Sequence, residues 1–251
     1  MGRYINAIEI EHELLDKTDF LGNDGYFRSL PVVKKLDRME LADVTFIVGE
    51  NGTGKSTLIE AIAVKCGFNA ESGSKNFDFS TRRSHSMLSD FIKLERTLKR
   101  PKDGYFLRAE SFYNVATEIE NLDAQPAASP KLISGYGGRS LHEMSHGESF
   151  FALMTNRFFG NGLYILDEPE AALSPSRVMA MLTLMHDLCS RGSQFIISTH
   201  SPILVAYPNA KVYELREDAV ECIDYRECAA FNLMKQFVNN PDRMVRYLTN
   251  D

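Results

Sequence analysis

A chain of 251 residues with 44% hydrophobic and 25% charged side chains can bury a sizeable core as one domain, or one domain with a sub-lobe, which excludes disorder as the default. Its 34 acidic against 28 basic residues leave a net charge of −6, which argues against a dedicated basic nucleic-acid domain, although local pairs such as Arg82 and Arg83 survive. Cys66, Cys189, Cys222 and Cys228 show no CxxC spacing and no His at zinc-ligand distance, so they read as reduced structural thiols of a cytoplasmic protein. The charged N-terminus has no apolar h-region, and no run of about 18 apolar residues occurs, so no membrane insertion and no export are expected.

In chain order, "YINAIEIE" alternates as a strand does, and "DVTFIVGE" is a second strand that closes on a glycine loop. A helix follows from Thr57 to Cys66. From Asn69 to about Pro101 the chain turns polar and then reads as helical over "MLSDFIKLERTLKR". "YFLRAESFYNVATEIENL" carries a strand into a helix, and "DAQPAASPKLISGYGGRS" has the Pro, Ser and Gly content of a long loop. "SHGESFFALMTNRF" has helical spacing, "GLYILDEPE" is a buried strand ending in acids, and "RVMAMLTLMHDLCSRG" is an amphipathic helix stopped by Gly192. "SQFIISTHSP" is a further apolar strand, and "VNNPDRMVRYL" a closing helix. Alternation of strand and helix predicts an α/β domain with a mostly parallel central sheet.

Gly49, four residues, and then Gly54-Lys55-Ser56 match GxxxxGK[ST] between a predicted strand and a predicted helix, the context in which such a loop binds nucleotide phosphates. Glycines let the backbone wrap so that N–H groups face phosphate oxygens, and the helix adds its positive end. The expected ligands are Asn51, Gly52, Thr53, Gly54, Lys55, Ser56 and Thr57, with Lys55 on the β- and γ-phosphates and the Ser56 hydroxyl on Mg2+. The bland reading is a glycine turn with an incidental lysine.

The strand "GLYILD" delivers Asp167 and Glu168 at its C-terminal end, where ligands of open α/β sheets gather. Asp167 fits a second Mg2+ partner, and Glu168 fits the base that activates the attacking water. Taken in isolation, the same two acids could simply be a solvated strand end.

Together these residues resemble the ATP-binding-cassette (ABC) ATPase superfamily. "MSHGES" stands where that family has its signature motif, so the resemblance implies that Ser145 and Gly147 contact the γ-phosphate held by an opposite subunit; His146 and Glu148 replace the usual Gly and Gln. "EAALSP" is similar to the family's D-loop, and "FIISTHSP" to its switch-histidine segment, which makes His200 a catalytic candidate. Without the family, Ser145 and Glu148 read as a capping box and His200 as a structural histidine. The family's glutamine loop is not recognisable; Glu110 or Ser111 would stand in for it, Tyr26 or Phe27 for an adenine-stacking aromatic, Arg28 for a nucleotide contact, and Arg139 would lie near the interface.

The resemblance implies a P-loop NTPase fold: an ABC ATPase head with an antiparallel N-terminal β portion and a small helical signature sub-lobe. Its expected division is one domain over 1–251, with 1–68 and 160–251 as nucleotide-binding core and 69–159 as sub-lobe. The stretch from Lys55 to Ser145 is too short for the long coiled coil of chromosome-maintenance relatives, and "LDEPEAALSP" looks more like RecF-like and overcoming-lysogenization-defect (OLD) type heads than like transporter cassettes. The implied protein is an ATPase with ATP and Mg2+ as cofactors, acting as an ATP-dependent homodimer coupled to an effector protein or nucleic acid. The alternatives are an ATP-binding subunit of a transporter and a nucleotide-gated binding module with little turnover.

Overall fold

The computed structural model describes residues 3–20, 25–70, 72–73, 86–109, 112–124, 133–134, 138 and 141–249. Arg82, Arg83, Glu110, Ser111 and Arg139 lie outside the described residues, as does the side chain of His146.

Two sheets organise the chain. Strands β1 (Ile5–Ile10), β2 (Arg38–Glu40) and β4 (Ile92–Arg96) form an antiparallel sheet in the order β2-β1-β4. The larger sheet contains β3 (Val44–Gly49), β5 (Asp103–Arg108), β6 (Gly162–Asp167), β7 (Gln194–Ser198), β8 (Lys211–Leu215) and β9 (Val220–Ile223). Its order is β5-β6-β7-β3-β8-β9, parallel throughout except for the antiparallel β9. This is the expected mostly parallel α/β architecture, with the antiparallel portion contributed by the N-terminal sheet.

The period-2 alternation of the central strands splits the apolar residues between two cores. Ile47, Leu163, Ile165 and Ile196 face one core, which also holds Leu58, Ile59 and Ile62 of α3 (Lys55–Lys65) and the inner residues of the N-terminal sheet. Phe46, Tyr164, Leu166 and Ile197 face the other, against α4 (Phe112–Ala124), α5 (His146–Arg157) and α6 (Pro175–Ser190). Strands β6 and β7 are buried at every residue because both faces are covered, which is why their sequences read as continuous apolar runs. Each large aliphatic side chain so buried contributes about 1.5–3 kcal/mol.

Polar pins join the two sheets. The fully buried Gln194 accepts from the N–H groups of Tyr4 and Ile5 at 2.9 and 3.0 Å, and its amide nitrogen donates to Ile5 O and Ala42 O at 2.8 and 3.0 Å. All of its hydrogen-bonding capacity is thereby used, as burial of an amide demands. Likewise, the Tyr213 hydroxyl donates to Glu40 O at 2.9 Å and accepts from Glu40 N at 3.0 Å, holding β2 to β8.

Two local expectations are corrected. Residues 87–100 do not form a helix: Met87–Phe91 is a short 3-10 turn, and Ile92–Arg96 is β4, paired along β1. The pattern Ile92-Lys93-Leu94-Glu95 has period 2, and on the outer face Lys93, Arg38, Glu9 and Glu95 form cross-strand ion pairs. In consequence β4 and β5, both within the span expected as a helical sub-lobe, are strands of the two sheets, and the helices of that span are α4 and α5. The closing helix is divided into α7 (Ala229–Asn239) and α8 (Pro241–Thr249), because Pro241 lacks the N–H that would continue α7 and suits the first turn of α8. Gly192, at φ +81°, stops α6 as expected. Among the described residues no helix is long and apolar enough to cross a membrane.

Candidate functional site

Strand β3 runs directly into the loop that opens α3. Gly49, Gly52 and Gly54 take φ values of +146°, +85° and +97°, a region closed to most side chains. Two of them are also crowded: a Cβ on Gly49 would lie 2.4 Å from Leu215 O, and one on Gly54 would lie 2.6 Å from Val32 Cγ1. The neighbouring segment α2 (Pro31–Lys35) is tied to the loop by Val32 N, which donates to Thr53 O at 3.2 Å.

Lys55 is buried at the first position of α3, and its Nζ donates to Gly49 O at 2.8 Å and Glu50 O at 2.9 Å. Burial lowers its pKa below the usual lysine value, while the charges of Glu168, Asp167 and Glu170 oppose that shift. Thr53 is buried and donates to Glu50 O at 2.8 Å. Asn51, Gly52 and Ser56 are exposed, and Thr57 is half-buried.

Asp167 ends β6 and is buried. Its Oδ1 accepts from the Ser56 hydroxyl at 3.2 Å and from the Ser198 hydroxyl at the end of β7. Its Oδ2 accepts from Arg108 Nε at 3.1 Å, and Arg108 Nη2 donates to Glu60 Oε2 of α3 at 2.9 Å. Burial works against the charge of Arg108, but Asp167 and Glu60 outweigh it and raise its pKa. Sequence reasoning missed Arg108, Glu60 and Ser198. Only the parallel register, which sets Arg108 beside Asp167 across β5 and β6, brings them together.

Glu168 occupies the left-handed region at φ 50° and ψ 52°, a conformation that costs a non-glycine residue about 1–3 kcal/mol and clusters at functional sites. Its N–H donates to Ser198 O at 3.1 Å, and its Oε1 lies 3.4 Å from His200 Nε2. Both side chains are partly exposed, at 39% and 41%, so both are open to a reactant. Glu170 lies in the short 3-10 turn Pro169–Ala172, and its Oε1 accepts from Thr199 Oγ1, His200 N and Ser201 N at 2.7, 2.6 and 3.1 Å. A cavity of about 660 Å³ beside this cluster is lined by residues that include Gly49, Glu50, Thr53, His200 and Leu233.

Ser145 caps α5, with its N–H and hydroxyl donating to Glu148 Oε2 at 3.2 and 2.8 Å. The capping-box geometry is therefore present, and Ser145 itself is exposed. Gly147 makes a close approach: a Cβ there would sit 2.7 Å from Ala172 O, and Gly147 O accepts from Arg177 Nη1 at 3.0 Å. The start of α5 thus packs on the turn that follows Glu168. Phe27 is fully buried against Phe20 and Phe91, which excludes it as an adenine platform, whereas Tyr26 is exposed. Arg28 pairs with Asp16 at 3.5 Å and lies over the Phe20 ring.

The donor set suits magnesium nucleotide. A hydroxyl and a carboxylate oxygen 3.2 Å apart, Ser56 Oγ and Asp167 Oδ1, are the hard ligands a small divalent cation takes alongside phosphate and water. Three positive-φ glycines before a helix N-terminus give the loop a backbone shape that suits an anion.

Comparison with known proteins agrees with this geometry. Residues 27–125 match a family model described as "AAA domain", and residues 132–206 one described as "AAA domain, putative AbiEii toxin, Type IV TA system". The chain is similar to the energy-coupling factor transporter ATP-binding protein EcfA1 of Fusobacterium nucleatum, at 28% identity over 62% of this chain and 62% of that one. It is similar to the cobalt import ATP-binding protein CbiO of Salmonella typhimurium, at 24% identity over 79% and 78%. The macrolide export ATP-binding/permease protein MacB of Neisseria meningitidis is 25% identical over 72% of this chain, and the match spans only 30% of MacB. Among solved structures, cbiO1 of Clostridium perfringens, part of a cbiONQ transporter complex, superposes with a TM-score of 0.52 at 19% identity, over 99% of this chain and 100% of that one. Phosphate loop, strand-end acids, sheet order and relatives together support one class, an ABC-type ATPase with the α/β P-loop NTPase fold.

Proposed function

We propose that this chain binds Mg-ATP between two copies arranged head to tail and couples its hydrolysis to an effector protein or nucleic acid. The observation that carries this reading is the 3.4 Å approach of Glu168 to His200 beside Lys55 and Asp167, which unites a base, a sensor and a cation at one strand-end cluster. In this reading the whole chain is one ATPase domain, and the exposed Ser145, with Gly147, completes the site of the opposite copy.

Lys55 supplies fixed positive charge to the β- and γ-phosphates. Ser56 and Asp167 would hold Mg2+, which when bound neutralises charge developing on the phosphate oxygens. Arg108 and Ser198 orient the Asp167 carboxylate toward Ser56. Glu168 accepts the proton of the attacking water, and His200 holds that water and the γ-phosphate in line.

Support for a head without a permease comes from "LDEPEAALSP" and from the Type IV TA system description carried by the matching C-terminal family model. The names of EcfA1 and CbiO favour a second reading, the ATP-binding subunit of a transporter. The test is to use Glu168→Gln as bait with Mg-ATP and identify what co-purifies. DNA or a soluble effector supports the first reading, and a multi-spanning membrane protein supports the second. A chain that stays monomeric under saturating Mg-ATP would remove the head-to-tail site.

A further inference from the structure

Glu170, two residues after the candidate base, takes no part in the chemistry described above. Its carboxylate nevertheless makes one of the densest polar contacts in the site. A single oxygen, Oε1, accepts from the Thr199 hydroxyl at 2.7 Å, the His200 N–H at 2.6 Å and the Ser201 N–H at 3.1 Å. Three donors on one oxygen favour a full carboxylate charge over a neutral amide. The other oxygen, Oε2, is buried and has no hydrogen-bond partner among the described residues, an arrangement that a residue serving only as filler has no reason to keep.

The geometry links both ends of His200 to one short segment. Glu168 is the N-cap of the turn Pro169–Ala172, and Glu170 lies inside it. Glu168 reaches the imidazole, while Glu170 grips the backbone N–H of the same histidine. The grip is reinforced within the 199–201 turn, where Thr199 Oγ1 accepts from Ser201 N at 2.9 Å, and Thr199 N donates to Ile47 O of β3 at 3.1 Å. Without Glu170, the His200 N–H would lose this acceptor, and the turn would be held by the contacts of Ser201 with Thr199, Leu204 and Val205.

We propose that Glu170 is a positioning residue that fixes the 199–201 turn, and through it the His200 ring, against Glu168. The proposal rests on the reading of His200 as a group that acts at the γ-phosphate. A residue that only stabilised the fold would lower thermal stability alone. A positioning residue alters turnover through His200 and loosens the local backbone first.

The first arm uses nucleotide-free protein and reads amide hydrogen exchange by NMR. In Glu170→Ala the His200 amide should exchange about tenfold faster or more, while the Thr199 amide, bonded to Ile47, stays within about twofold of wild type. Unchanged protection of the His200 amide overturns the clamp. The second arm reads steady-state ATP turnover. Glu170→Ala should lower kcat about tenfold or more with the KM for ATP shifted less than about threefold, and should add less than about a twofold loss in a His200→Ala background. A fully additive loss in the double variant overturns positioning through His200. If His200→Ala keeps wild-type kcat, the catalytic half fails with the reading of His200 itself, whereas the exchange arm still decides the clamp. Glu170→Gln retains an acceptor oxygen and the side-chain volume; should the alanine variant fail to fold, the same measurements on the glutamine variant decide, with the same amide loosened to a smaller degree.

Discussion

Glu168 Oε1 and His200 Nε2 lie 3.4 Å apart although a long helix and a whole strand separate them in the chain. Neighbouring parallel strands β6 and β7 end at the same level, so the residues that follow them meet. If Glu168 is the base, Glu168→Gln should lower ATP turnover about 10²-fold or more while ATP binding persists, and sedimentation with Mg-ATP should show a dimer. Turnover near wild type would assign the base elsewhere.

Lys55 is held by two loop carbonyls in a buried position. Lys55→Ala should raise the dissociation constant for ATP about 10²-fold or more, since two charge-assisted contacts to phosphate disappear. Unchanged affinity in a nucleotide titration would take the phosphates off this loop.

Arg108 neutralises two carboxylates of low exposure, Asp167 at 5% and Glu60 at 11%. Arg108→Met leaves both without their cation and should destabilise the nucleotide-free chain by about 3 kcal/mol, read as a lower urea midpoint at constant slope. A midpoint equal to wild type would mean that water or rearrangement replaces the guanidinium.

Gly147 has no positive φ among the glycines in that region, so its requirement is steric: an added Cβ meets Ala172 O at 2.7 Å. Gly147→Val should cost about 1–3 kcal/mol by overpacking and separate α5 from the turn after Glu168. Thermal unfolding checks the first effect, and loss of the Mg-ATP dimer the second.

Desolvation raises the Cys189 thiol to about 11, against a partly offsetting hydrogen bond with Tyr207. The raised value disfavours the thiolate, so at pH 8 its reactive fraction is about two hundredfold below that of a free thiol near 8.5. A thiol-labelling time course at pH 8 should modify the exposed Cys222 first and Cys189 far later, with the Cys189 rate rising as pH approaches 11.

The phosphate loop, the strand-end acids and most helices and strands were legible in the sequence because their signals are local. Glycine spacing, apolar runs and a period of 3.6 or 2 are set within a dozen residues. Residues 87–100 were misread because a short alternating strand, Ile92–Arg96, sits against a 3-10 turn and within a polar stretch, and its pairing partner β1 is far away in the chain. Phe27 was a candidate platform in sequence, yet packing sends its ring into the core while its neighbour Tyr26 stays outside.

By itself the sequence determined a strand–loop–helix with the GxxxxGKS spacing, two acids ending a buried strand, and a serine-capped helix, each of which depends on neighbours in the chain. Only the tertiary structure decided that Arg108 and Ser198 converge on Asp167, that Glu170 grips the backbone of His200, and that Gly147 must lack a Cβ. Those contacts join residues on different strands and helices. Their distances follow from the register of a parallel sheet and the packing of helices on its faces, and local sequence spacing carries neither.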